Sequence, residues 1–175
     1  MKTTLRKADS LVLDLFKNLV VINEEGNTSK VPVIYGTRER LRARAEPTSD
    51  ARIKKISMPA VALIRKDIHQ TTATSGRHGD DGTWIPEWQG WLLDYHVVIE
   101  TLFSEDMNQI LEQIMLPFSP TVQFKDDNVK KLHLRNIVSN DSEECGDGMR
   151  ILSYEFLMQA EIILKKQGDN NGPQD

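Results

Sequence analysis

The chain is poor in most features that announce a compartment or a chemistry. It has one cysteine, Cys145, in 175 residues, so no internal disulfide can form and nothing marks an oxidised, secreted domain. Long apolar runs are missing as well. Asp9, Asp14 and Lys17 interrupt the N-terminal segment, which argues against a signal peptide and for a soluble product of the cytosol. No stretch approaches the ~20 apolar residues of a membrane-crossing helix, so no membrane partner is expected. Positive charge is not in excess: the formal net charge is −4. That opposes a protein dedicated to nucleic acid, although a local basic patch remains compatible with it. The glycines of Gly36-Thr-Arg and Gly146-Asp-Gly lack both the spacing of a phosphate-binding loop and its following Lys-Ser/Thr.

Apolar residues make up 39% and charged residues 27%, the balance of a globular protein. A chain of this length can bury roughly two-thirds of its unfolded surface in one core. Neither an internal repeat nor a linker divides it. A single domain is expected over residues 1–166, followed by a polar, Gly/Asn-rich, disordered tail over residues 167–175.

The clearest pattern runs from Tyr95 to Phe124. Tyr95, Val97, Ile99, Thr101 and Phe103 alternate with His96, Val98, Glu100 and Leu102, the period of a strand. Ser104 is placed to cap a helix, with Glu105 and Asp106 in its first turn. Met107, Ile110, Leu111, Ile114 and Met115 then form an apolar stripe, and Pro117 and Pro120 end the helix before strand-like Thr121–Phe124. Upstream, Asp9 or Ser10 is expected to cap a helix carrying Leu11, Leu15 and Leu19. Strands are expected over Leu19–Ile22 and, returning, Lys30–Tyr35, with Pro32 holding the latter to a sheet edge. A short helix follows from Thr37 to Ala45, then a strand over Ile53–Arg65 with Met58, Ala60, Ala62 and Ile64 on one face. Residues Gln70–Gly90, rich in Gly, Ser and Thr, read as a long loop. Lys131–Val138 is another strand. Met149–Leu164 promises the longest strand of all, with Leu152 to Leu164 alternating on an apolar face. At roughly 3.3 Å per residue it spans about 50 Å, enough to project or to pair with another subunit. The fold class is therefore α+β (α/β): one mostly antiparallel mixed sheet with two to three packed helices and a long C-terminal strand.

No group of residues assembles a catalytic motif. His69, His78, Asp80 and Asp81 in the long loop invite a metal-dependent hydrolase, but their spacing matches no ligand motif, and a solvated loop is the stronger reading. His96 and His133 fall within strand patterns and read as hydrogen-bonded structural residues. Cys145 has Glu143, Glu144 and Asp147 as neighbours, an acidic setting that opposes thiolate formation. The expectation is no enzyme, no cofactor and no metal. Arg38, Arg40, Arg42 and Arg44 wrap a short helix, with Arg38 and Arg42 sharing one face; Glu39 and Glu46 are candidate partners if the helix is merely solvated. Arginine is also favoured at interfaces and with phosphate. Trp84, Trp88 and Trp91 cluster at the end of the loop, as interface anchors or as cover for the core edge.

The order VPVIYGTRERLRARA, KISMPAVALI, YHVVIETLFSEDMNQILEQIMLPFSPTVQF, HLRNIVSND and RILSYEFLMQAEIIL resembles the tail sheath stabiliser (tail completion) proteins of T4-like contractile-tailed phages. The likeness covers roughly Leu11–Lys165 and is most specific at Asp106–Pro120. The sequence departs from the family pattern in the length of Gln70–Gly90 and at Met58-Pro-Ala-Val-Ala. The resemblance implies a non-enzymatic virion protein with a tail-terminator-like fold. Such a protein would form a hexameric ring on the head-proximal end of the tail, touching the tail sheath and tail tube proteins and offering a surface to neck and connector proteins, with incidental DNA contact at most. Arg38, Arg40, Arg42, Arg44, Trp84, Trp88, Glu143 and Glu144 are the candidate interface residues, the arginine helix being complementary to the acidic Asn140–Gly148 loop. A neck or baseplate component, a hydrolase built on the His69–Asp81 loop, and a nucleic-acid module built on the arginines are the alternatives.

Overall fold

Period-two burial around Tyr95 marks the centre of a sheet: Tyr95, Val97, Ile99 and Thr101 are all fully buried. The computed structural model describes residues 3–45, 57–117, 121–139, 143–144 and 150–165. In chain order the elements are α1 (Thr4–Phe16), β1 (Val20–Ile22), β2 (Thr28–Lys30), β3 (Val33–Tyr35), α2 (Arg38–Ala45), β4 (Ala60–His78), β5 (Trp84–Thr101), α3 (Ser104–Met115), β6 (Thr121–Gln123), β7 (Val129–Ser139), β8 (Glu143–Glu144) and β9 (Arg150–Lys165). The main sheet runs β3-β4-β5-β9-β7-β6, with β8 beside β9, and β1 and β2 form a separate two-stranded ribbon. Among the described residues, the β3–β4 pairing alone is parallel. This is the α+β mixed sheet with a long C-terminal strand that the sequence implies.

Alternation divides the side chains of the sheet between two layers. Val61, Leu63, Val97, Ile99, Phe156, Met158, Ala160 and Ile162 meet Ala8, Val12 and Phe16 of α1 and Met107, Ile110 and Ile114 of α3 in the main core. Ala60 and Ala62 face the other way, where Ile34, Met58 and Leu41 of α2 close a smaller cluster.

Several expectations are corrected. Helix α1 starts at Thr4 and is capped by Thr3, whose hydroxyl accepts from the Arg6 amide at 3.4 Å. Asp9, expected as a cap, lies inside the helix because it has a partner in the sheet, described below. Ser104 is the first residue of α3 rather than its cap; that position falls to Phe103, which offers no side-chain oxygen. The segment Lys30–Tyr35 is split: β2 pairs with β1, whereas β3 crosses to the main sheet beside Val61–Leu63. Pro32 does lie at an edge, and its carbonyl accepts from the Val61 amide at 2.8 Å. Of Ile53–Arg65, β4 begins only at Ala60, and residues 53–56 lie outside the described set.

The largest correction concerns Gln70–Gly90. These residues are not a loop but the outer half of a β4–β5 hairpin whose turn is confined to Gly79–Thr83. Backbone pairing between the two strands supplies what side-chain periodicity does not. As a result β4, at 19 residues, and β5, at 18, are both longer than the 16-residue β9. Strand β9 is not a free pairing arm either, because β5 and β7 cover its two edges.

Candidate functional site: the arginine helix and the hairpin arm

Helix α2 follows the turn at Gly36, and the Thr37 hydroxyl accepts from the Arg40 amide at 3.4 Å. The i, i+4 pair Arg38 and Arg42 does share a face, and that face points at the sheet. Glu100, fully buried in β5, accepts from Arg38 Nε at 2.6 Å and Arg42 Nε at 2.9 Å, with Arg42 Nη2 also 2.8 Å away. A buried carboxylate is costly unless well compensated; two charge-assisted bonds to guanidinium groups satisfy its Oε1. Glu100 is therefore a shared partner of both arginines in the sheet. The Glu39 carboxyl is held below its usual range chiefly by its hydrogen bond with Thr37, and Glu46 lies outside the described residues. Arg40 is exposed and Arg44 half-buried.

A second polar contact docks α1. Tyr95 donates its hydroxyl proton to Asp9 Oδ1 at 2.8 Å, and Arg65 Nη1 lies 3.2 Å from the same oxygen. Burial, reinforced by the Asp9 charge, drives the Tyr95 phenol far above its ordinary range. On α3, Gln109 and Gln113 act as a surrogate strand. Their carboxamides bond the amide and carbonyl of Ile22 at 2.8 and 3.0 Å and of Val20 at 3.1 and 2.7 Å, closing one edge of β1.

The β4–β5 hairpin leaves the body as an arm. Among the described residues, β9 accompanies β5 as far as Trp88, opposite Lys165, and β3 pairs with β4 from Val61 to Leu63. Register breaks at Arg65/Ile68, Gln70/Thr74 and Ser75/Gly76 put extra residues into the hairpin, and each such bulge bends and twists the ribbon. Two glycines permit close approach. A Cβ on Gly76 would lie 2.3 Å from the Ile85 carbonyl oxygen, and one on Gly90 would lie 2.4 Å from Thr71 Oγ1. Near the tip, Trp84 is 45% exposed and its ring meets the His78 imidazole edge-on at 5.2 Å. Asp81 Oδ1 accepts from the Thr83 amide at 2.9 Å, and His78 Nδ1 donates to the Gly82 carbonyl at 3.2 Å. Trp88 is half-buried, and Trp91 packs against the main core.

The metal group suggested by sequence does not assemble. His69 pairs opposite Leu92 at the root of the arm and His78 opposite Trp84 near its tip, about 30 Å apart along the strand. His69 instead joins a chain that spacing could not reveal. Its Nε2 lies 2.7 Å from Asp94 Oδ2, Asp94 Oδ1 accepts from Gln159 Nε2 at 2.8 Å, and Gln159 Oε1 accepts from Arg135 Nε at 3.1 Å. The same face of the sheet carries His96 with Glu155 at 2.5 Å and Lys131 with Glu161 at 3.2 Å. Nearby His133 is held below its ordinary range, first by desolvation and then by the Lys131 and Arg135 charges. Glu143 and Glu144 pair antiparallel with Ile151 and Arg150 as strand β8; Cys145 and the rest of the acidic loop lie outside the described residues. Among the described residues, no helix is long and apolar enough to cross a membrane.

An α+β body that projects a bulged, aromatic-tipped two-stranded arm is the build of a contact-making structural protein. The chain matches the family model of the T4-like virus Myoviridae tail sheath stabiliser over residues 1–164, and it belongs to that family. It is thus a structural protein of contractile phage tails, located in the virion tail and associated with sheath and tube proteins. No curated protein sequence matches the chain.

Proposed function

We propose that this protein caps the head-proximal end of a contractile tail as a homo-hexameric ring and offers its outer surface to the neck. The β4–β5 arm is the observation that carries this reading. A closed ring with cyclic symmetry uses heterologous contacts, so each subunit needs two unlike patches that fit each other. A projecting arm with exposed Trp84 near its tip is one such patch, set away from the body where it can reach a neighbour, with half-buried Trp88 at its base. Charge supplies a second element, with Arg40 and Arg44 on α2 opposed to the Glu143–Glu144 strand of the next copy. Arg38 and Arg42 hold α2 to Glu100 and contribute to this contact only indirectly.

The test is negative-stain imaging of labelled protein mixed with isolated tube-and-sheath particles. The full chain should add a sixfold ring at the head-proximal end. A variant in which residues 71–90 are replaced by a short turn should stay folded but fail to close the ring. Rings formed equally well by the trimmed variant would remove the arm from the interface, and density at the baseplate end would overturn the capping role. Charge reversal at Arg40 and Arg44 should weaken the ring at physiological salt; unchanged assembly would remove the charge pairing.

A further inference from the structure

We propose that Asp67, His69 and Asp94 form a divalent-cation site at the root of the arm. Each offers one donor atom, and the three donors lie within 4.8 Å of one another. Two ligands that each lie about 2.0–2.2 Å from one ion are roughly 3–4 Å apart, so small side-chain rotations bring all three onto a common centre. The backbone explains why they meet. The register break between Arg65 and Ile68 leaves Lys66 and Asp67 without direct partners opposite Asp94, and His69 follows two residues later on the same strand. Such bulges re-aim a side chain, and here they bring a second carboxylate up to a His–Asp pair.

An ordinary ion pair accounts for His69 and Asp94 alone. It does not call for Asp67, whose carboxylate adds a third donor beside the pair. Asp94 is also oriented from behind in the manner of a metal ligand: Oδ2 faces His69 while Oδ1 is fixed by Gln159, itself held by Arg135. Outer partners of this kind position ligating carboxylates and tune their affinity. One imidazole and two carboxylates suit Zn²⁺ or Mn²⁺ rather than a soft ion, with coordination positions left open to water. Because the donors come from both strands of the hairpin, a bound ion would cross-link the arm at its root and set its angle to the body. This inference does not depend on the ring reading.

The experiment uses the full chain, stripped with chelator and titrated calorimetrically with Zn²⁺ and with Mn²⁺. One saturable site per chain is expected. His69→Gln and Asp67→Asn should each weaken it by at least about tenfold, and Gln159→Leu should weaken it less than either, as an outer-sphere partner does. His78→Gln, at the far end of the arm, should leave it unchanged. Hydrogen exchange across residues 64–70 and 91–95 should slow on metal addition in the unaltered chain and not in His69→Gln. Absence of saturable binding at millimolar metal, or binding that survives both His69→Gln and Asp67→Asn, would overturn the assignment.

Discussion

Glu100 shows how one residue fixes the position of an entire helix. It is fully buried, and Arg38 and Arg42 of α2 converge on its Oε1. Removing one member of a buried ion group strands the others, which typically costs about 3–5 kcal/mol. Glu100→Ala should therefore lower unfolding stability by that order in urea titration, whereas Arg40→Ala, on the exposed face, should change it by less than ~0.5 kcal/mol. Equal small effects would show that the triad does not hold α2. Tyr95→Phe removes the hydroxyl that binds Asp9; bonds to charged groups contribute about 1.5–3 kcal/mol, and a loss within that range is expected by the same titration. His133 carries a pH signature. Its folded pKa lies below the ordinary value, so its contribution is complete above the unfolded pKa of about 6.5 and is lost as pH falls through and below it. Thermal melts between neutral and mildly acidic pH should show that loss, and His133→Gln should flatten the slope.

At the scale of the element, the arm is the part most sensitive to glycine. Gly76→Val would drive a side chain into the Ile85 carbonyl and the Trp84 ring. It should abolish the His78–Trp84 contact, visible as altered tryptophan fluorescence, while leaving the core melt nearly unchanged; a normal arm signal would contradict the packing. The strand–helix unit from Tyr95 to Met115 was legible in the sequence because the strand alternates in hydrophobicity and the helix carries one apolar stripe, so each writes its own period. The arm was not. Its strands bury neither face, three register breaks erase what alternation remains, and its Gly, Ser and Thr residues look like a loop. The helix partners were hidden for another reason. Glu100 lies 58 residues from Arg42, Asp94 lies 65 from Gln159, and Gln109 lies 87 from Ile22, so only the sheet order brings them together. Asp9 reads as a cap because a half-buried aspartate inside a helix makes sense only once Tyr95 and Arg65 are placed beside it.

For the molecule as a whole, every large piece of the sheet depends on β9. Strand β9 separates β3-β4-β5 from β7-β6 and carries the buried Phe156, Met158, Ala160 and Ile162. A chain lacking Arg150–Lys165 should lose its cooperative melt by near-ultraviolet circular dichroism; a retained sharp transition would show that the two halves are separate units. The same insertion governs the timing of folding. Strand β9 follows every other described element, yet it occupies the middle of the sheet. While the chain emerges from the ribosome, the β5 and β7 edges both wait unpaired beside an uncovered apolar face, an interval in which half-made sheets are prone to stick to one another. Only β9 joins them, so that interval lasts until residues 150–165 have cleared the exit tunnel.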